Sequence, residues 1–253
     1  MSADGRISSI QGLRGVAILL VVIGHAIVTS EPEPGDDLVR YVIGRLSGFG
    51  VELFFVISGY LITSILVREL DRSGRIDLRA FYIRRTLRIW PAFYLFIGVV
   101  AIAVAVGVAT AGGDDFLAAG LFFWDYAPWA DATWLEHTWS LAVEEQFYLL
   151  WPLALLWLRP RRALVVAAVG IVLTPVLRVA TYAVASDELR TELSQMFHVR
   201  MDSLLVGCLL ALLAAVRPAW LEAFGRIAMR WRLHLVGIPL VLASAVLVRF
   251  LGG

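Results

Sequence analysis

Residues 137–158 read HTWSLAVEEQFYLLWPLALLWL. Two adjacent carboxylates, Glu144 and Glu145, stand just inside an apolar run. The run from 139 to 158 would be about 30 Å long as a helix, which is the thickness of a bilayer's hydrocarbon core. The stretch therefore predicts a membrane-spanning helix that carries two acids near its start. Whether the rest of the chain agrees decides the fold class.

The chain has 253 residues, 60% hydrophobic and only 17% charged, with a mean hydropathy of +0.79. A soluble domain has roughly a quarter of its residues charged. This composition predicts an all-α, polytopic transmembrane bundle. Further apolar runs lie at about 15–29, 47–67, 89–111, 163–184, 200–216 and 233–250, giving about seven spans with the first. The stretch FLAAGLFFW (116–124) is too short to span and reads as interfacial or re-entrant. The run at 15–29 also resembles a secretory signal, but six more spans follow and no small-residue cleavage site precedes Glu31, so it reads as an uncleaved span. Cys208 lies alone in an apolar run and reads as a packing residue.

Arginine placement sets the expected topology. Every positive charge is Arg, and the net charge is +1. Arg6 and Arg14 precede span one; Arg68, Arg72, Arg75, Arg79, Arg84, Arg85 and Arg88 lie between spans two and three. RPRR follows span four, and Arg217, Arg226, Arg230 and Arg232 follow span six. Seven spans put all of these on the cytoplasmic side, with the N-terminus. The opposite loops carry Glu31, Glu33, Asp36 and Asp37, then Asp114, Asp115, Asp125, Asp131 and Glu136, then Asp187, Glu188 and Glu192. On this map His25, Glu52, Glu144 and Glu145 lie near external ends, and the Arg cluster lies at the cytoplasmic face.

Ionisable residues in membrane segments face the bundle interior and suggest function. Arg14 and His25 are eleven residues apart, about 20° past three helical turns, so both share one face, roughly 16 Å apart along the axis. The alternatives are an Arg14 that snorkels to headgroups and a His25 that is merely interfacial. A histidine can take a proton from an attacking hydroxyl or carry an acyl group itself. A carboxylate from Glu144, Glu145 or Glu52 would orient it. Glu144 and Glu145 point about 100° apart and cannot share one role; Ser140, one turn earlier, is placed to bond Glu144. Both acids could equally be a solvated helix end.

Arg85 and Arg88 lie one turn apart in FYIRRTLRIWPAFY, so both guanidiniums are expected on one side, where they suit phosphates. A plain topogenic signal in contact with anionic lipids is the other reading. Arg200 and Asp202 open span six and are expected to pair with charges on other helices or to form a structural ion pair. No P-loop, GxGxxG, HExxH, CxxC or GxSxG is present, and no metal site is expected. Few basic residues lie in external loops, so nucleic acid is not an expected partner.

Four stretches, IQGLRGVAILLVVIGHA, GFGVELFFVISGYLIT, FYIRRTLRIWPAFY and HTWSLAVEEQFYLLWP, resemble in their order and spacing the acyltransferase family 3 membrane proteins. That resemblance implies an O-acyltransferase moving an acyl group, acetyl by default, from acyl-CoA to a hydroxyl of a glycan or lipid-linked glycan. It implies the bacterial inner (cytoplasmic) membrane and lipid contact. No bound cofactor is implied beyond acetyl-CoA or another acyl-CoA as co-substrate. The family's first-span Arg and His fall on Arg14 and His25. Its R-x-x-R motif, tied to the acyl-CoA donor, falls on Arg85 and Arg88. Its W-S-L-x-x-E motif falls on Trp139, Ser140, Leu141 and Glu144. The acid that opens its second span is usually Asp and here is Glu52. The resemblance thus gives His25, Glu144 and Glu52 catalytic roles, and Arg14, Arg85 and Arg88 donor roles. Trp139, Ser140, Glu145, Arg200 and Asp202 fall to the acceptor side or to structure.

The family's domain has about ten spans, so residues 1–253 read as a single domain of this kind that is short at its C-terminus. A transporter or exporter with polar residues along a path, or a non-catalytic remnant, is the competing expectation. A fold-level likeness alone does not separate these.

Overall fold

The structure is a computed structural model, described over residues 3–29, 37–186, 189–190, 193 and 195–230. All regular structure among the described residues is helical. The helices are α1 (Ala3–Thr29), α2 (Asp37–Ser73), α3 (Leu78–Ala105), the short α4 (Gly113–Gly120), α5 (Thr138–Val184), α6 (Phe197–Val216) and α7 (Pro218–Arg230), with a 3₁₀ turn at Trp124–Tyr126.

Four of them, α2, α3, α5 and α6, are long and apolar enough to cross a membrane. The apolar part of α1, Gly12–Ile27, is shorter. Expected spans four and five form one element, α5. Its two arms meet at Arg159, where φ is 56° and ψ is 164°, immediately before Pro160. A residue before proline is pushed out of the α region, so a single residue breaks the helix where a loop was expected. The seventh expected span, 233–250, lies outside the described residues. So do Arg232 and the acids Glu31, Glu33, Asp36, Asp187, Glu188 and Glu192.

The helix surfaces are those of a lipid-facing protein. Leu95, Val99 and Ile102 form one exposed stripe on α3, which is costly in water and natural in lipid.

The chain divides into two compact units. The first comprises residues 1–58 and 213–253, the second residues 59–212. Within the first, α1 and the start of α2 pack through small residues. A Cβ at Gly24 would strike Ser47, and one at Gly50 would lie 2.9 Å from the Ala17 carbonyl oxygen. Small residues of this kind let membrane helices approach closely. Within the second, Gly59 meets the Leu204 backbone in the same way. Nearby, the Trp151 indole N–H donates to Thr63 Oγ1 at 2.8 Å.

The segment from 106 to 137 decides the geometry of the second unit. It does not simply cap the end of α3. It folds back along α3: Trp124, Ala118, Ala119, Ala132 and Leu135 pack on Val100, with Phe96 and Ile97 alongside. Phe122 then reaches Phe93, ring centroids 4.7 Å apart. FLAAGLFFW, expected not to span, holds the short α4 and folds back on α3. Because the segment folds back, α5 begins beside Phe96 rather than beside Ala105; the His137 and Phe96 rings are 5.1 Å apart.

Candidate active site in the second unit

From that starting level α5 runs antiparallel to α3. Further down, the Tyr82 hydroxyl donates to the Leu149 carbonyl at 2.8 Å. Between these two contacts Arg85 meets Glu145, with Nε 3.7 Å from Oε1. The topology read from arginine placement puts these residues at opposite faces of the membrane. The re-entrant fold brings α5 down by several turns and joins them.

Arg85 is also stacked on an aromatic ring. Its guanidinium carbon lies 3.5 Å from the centroid of Tyr148. The Tyr148 hydroxyl in turn donates to Glu144 Oε1 at 2.9 Å. Glu144 and Tyr148 are both buried, at 3% and 2% exposure. Trp90 lines the same cavity as Glu145. Two acids, one cation and one aromatic ring thus form one connected cluster. Arg85 Nε and Glu145 Oε1 are buried and find no hydrogen bond within it, so their charges are matched by proximity rather than by a closed bond.

The cluster borders a cavity of about 230 Å³ lined by Tyr82, Arg85, Trp90, Phe122, Glu145 and Leu149, among others. Its floor is held by Gln146, one amide of which donates to the Phe122 carbonyl at 3.1 Å and to Asp125 Oδ1 at 2.7 Å. Asp125 Oδ2 accepts from the Phe197 N–H at 3.1 Å, which satisfies a free donor at the first turn of α6. Asp125 is therefore the pin between the re-entrant segment, α5 and α6. Burial pushes its carboxyl up to about 6, against the opposing pull of the Gln146 and Phe197 donors. Beside it the Tyr126 hydroxyl and His198 Nδ1 lie 2.9 Å apart.

The expected site residues separate as follows. Arg85, Glu144 and Glu145 come together in the second unit. Arg88 does not join them: Arg85 is half-buried and Arg88, one turn further along α3, is exposed. Ser140 does not bond Glu144 as expected; its hydroxyl donates to the His137 carbonyl at 3.1 Å, one turn back at the helix start. Trp139 and Arg200 meet, the guanidinium 5.6 Å from the ring centroid. Asp202 pairs with Arg178 of α5 at 2.8 Å, which is the inter-helix charge pair expected of it.

In the first unit, Arg14 lies over Phe54, 5.2 Å from its centroid. His25 is exposed. Its Nδ1 lies 2.9 Å from the Val21 carbonyl oxygen. A carbonyl only accepts, so Nδ1 carries the proton and Nε2 is the basic nitrogen. Glu52 is half-buried on α2.

Tyr148, Trp90, Gln146 and Phe122 were not among the expected site residues. Tyr148 had a signal: it is four residues after Glu144, the spacing that also singled out Ser140 on the other side.

A helical membrane protein with a charged cluster buried among its spans is what these observations define. Its sequence matches the family profile described as "Acyltransferase domain" over residues 7–251. The chain belongs to this acyltransferase family, and it is an integral membrane protein. Among its relatives is the peptidoglycan O-acetyltransferase OatA of Listeria monocytogenes, 30% identical over 223 residues, covering 81% of this chain and 33% of the relative. The O-acetyltransferase OatA of Staphylococcus aureus is 32% identical over 218 residues, covering 80% of this chain and 34% of the relative. The chain thus spans about a third of the length of the curated relatives it matches. No solved structure matches it.

Proposed function

We propose that this chain is a membrane O-acyltransferase that moves an acetyl group from acetyl-CoA, or another acyl-CoA, to a hydroxyl of a cell-envelope glycan. Peptidoglycan is the acceptor class that the Listeria relative's name carries. The observation that carries the reading is the cluster of Arg85, Glu144, Glu145 and Tyr148. Two of its members, Arg85 and Glu144, stand on the motif positions that the family ties to the donor and to catalysis. A half-buried arginine beside a small cavity suits a thioester carbonyl, whose oxygen gains negative charge as it is attacked. The exposed Arg88 suits the phosphates of the donor.

His25 is assigned the proton. Its Nε2 takes the hydroxyl proton as the new O–C bond forms and the C–S bond of the thioester breaks; the thiolate leaves and takes that proton from the imidazolium. Transfer by way of an acyl-histidine obeys the same balance in two steps. Glu52 and Arg14 keep their assigned supporting roles. The N-terminus is placed in the cytoplasm and the protein in the bacterial inner membrane, in contact with its lipids.

The test is transfer of labelled acetyl from acetyl-CoA into glycan or lipid-linked glycan, using membranes that carry the chain or its His25→Ala variant at equal abundance. Label in the first and none in the second is expected. Equal label in both would remove His25 from the mechanism, and label in neither would count against the activity of this chain.

A further inference from the structure

Helix α4 ends in a hydrogen-bond pattern that normally calls for glycine. The Phe123 N–H donates to the Ala118 carbonyl at 2.9 Å and the Phe122 N–H to the Ala119 carbonyl at 3.0 Å. These are the paired bonds of a Schellman cap, with residue 122 in its left-handed position. Its φ is 54°. Glycine adopts that conformation freely, whereas any L side chain costs about 1–2 kcal/mol. Here the position holds phenylalanine. Strain that a glycine would relieve points to a use for the side chain.

The ring's surroundings say what the use is. It stacks on Phe93, with centroids 4.7 Å apart, and leans on Trp90 at 5.9 Å. With Trp90, Leu121 and Leu149 it forms the apolar wall of the cavity whose polar end is Arg85 and Glu145. Gln146 holds the Phe122 carbonyl, so the ring is fixed from both sides. At about 230 Å³ the cavity is below the roughly 300–1,000 Å³ that enclose drug-sized ligands. Its size suits the end of one short chain.

We propose that this cavity takes the acyl group of the donor, its thioester carbonyl toward Arg85 and its alkyl end against Phe122, and that the Phe122 ring limits the chain length accepted. This inference rests on the acyl-CoA reading above and adds to it the site and its selectivity.

The strain supplies a variant that should fold. Phe122→Gly removes the ring and relaxes the backbone together. Membranes carrying the chain, Phe122→Gly, or Leu149→Ala on the same wall would be compared with acetyl-, butyryl- and hexanoyl-CoA. The ratio of kcat/KM for butyryl- to acetyl-CoA is expected to rise by about tenfold or more in Phe122→Gly, since one or two methylenes in an apolar pocket discriminate by roughly that much. Leu149→Ala should move the ratio in the same direction by less. An unchanged ratio in both variants, with acetyl transfer intact, would overturn this inference and leave the donor reading standing. Should Phe122→Gly be inactive, the Leu149→Ala ratio decides alone. Absence of transfer from every thioester by the unaltered chain would remove the donor reading and this inference with it.

Discussion

The guanidinium of Arg85 lies 3.5 Å from the centre of the Tyr148 ring, and the hydroxyl of that same ring donates to Glu144. Tyr148 therefore serves two charged partners at once, a cation on its face and an anion at its edge. The two functions separate by substitution. Tyr148→Phe keeps the face and loses the hydroxyl, leaving a buried carboxylate short of a donor at a cost of about 1–3 kcal/mol. Tyr148→Leu also loses the cation–π contact, worth about 2 kcal/mol more where water is excluded. Thermal unfolding in detergent should rank unaltered chain, Phe and Leu in that order. In transfer assays the KM for acyl-CoA should hold in the Phe variant and rise in the Leu variant. A Phe variant as impaired in KM as Leu would show that the ring face does not position Arg85.

Arg85 and Glu145 are nearly buried, with side chains 20% and 14% exposed. Removing one member of such a pair strands the other charge and costs roughly 3–5 kcal/mol, whereas replacing both is often close to neutral. Arg85→Met should therefore lower the unfolding temperature sharply. Adding Glu145→Gln should recover most of the loss without recovering transfer. Equal melting of the single and double variants would mean that the two charges do not depend on each other.

The helical class and the position of most spans were legible because bilayer thickness fixes the length of an apolar run, and composition reports it directly. FLAAGLFFW was legible as a non-spanning segment for the same reason. The depth of Glu145 was not. Charge placement orders loops by side, but it carries no information on how far a re-entrant segment pulls the next helix inward, and the segment from 106 to 137 does this through Trp124 and Phe122. The single-residue break at Arg159 was legible only as RPRR, a loop. In the site, Arg85 and Glu144 were found by their motifs. Tyr148 was missed because an aromatic residue in an apolar helix looks like packing until its ring is seen beneath a guanidinium. Arg14 and His25 were paired by shared rotation on a helix, which says which residues align, but not what lies opposite them.

Close helix approach at Gly59 gives a stability test free of charge. A Cβ there would fall on the Leu204 carbonyl, 2.9 Å from its carbon. Backbone cannot step aside as a flexible side chain does, so Gly59→Ala should cost about 1–3 kcal/mol through overpacking of α2 on α6. Gly98, on α3, has nothing within 4 Å of an added Cβ. There Gly→Ala should be neutral or stabilising, by up to about 1 kcal/mol, from helix propensity. Comparable losses at both positions would locate the effect in the helix backbone and not in the contact.

Asp125 links folding to pH. Its carboxyl is pushed up to about 6 from an ordinary 3.8 because burial in the re-entrant turn outweighs its two donors. A group whose folded value is raised favours the folded state most when protonated. Its contribution is complete below about pH 3.8 and is lost as pH rises through about 6. A shift of this size corresponds to roughly 3 kcal/mol across that window. Asp125→Asn cannot titrate and keeps an acceptor for only one of Gln146 and Phe197. It should therefore be the less stable chain at pH 4 and should lose less stability on going to pH 8. Unfolding temperatures of both proteins, taken from pH 4 to pH 8 in one detergent, measure this. Parallel curves would show that Asp125 is ionised in the fold throughout, and that its donors, not its burial, set its charge.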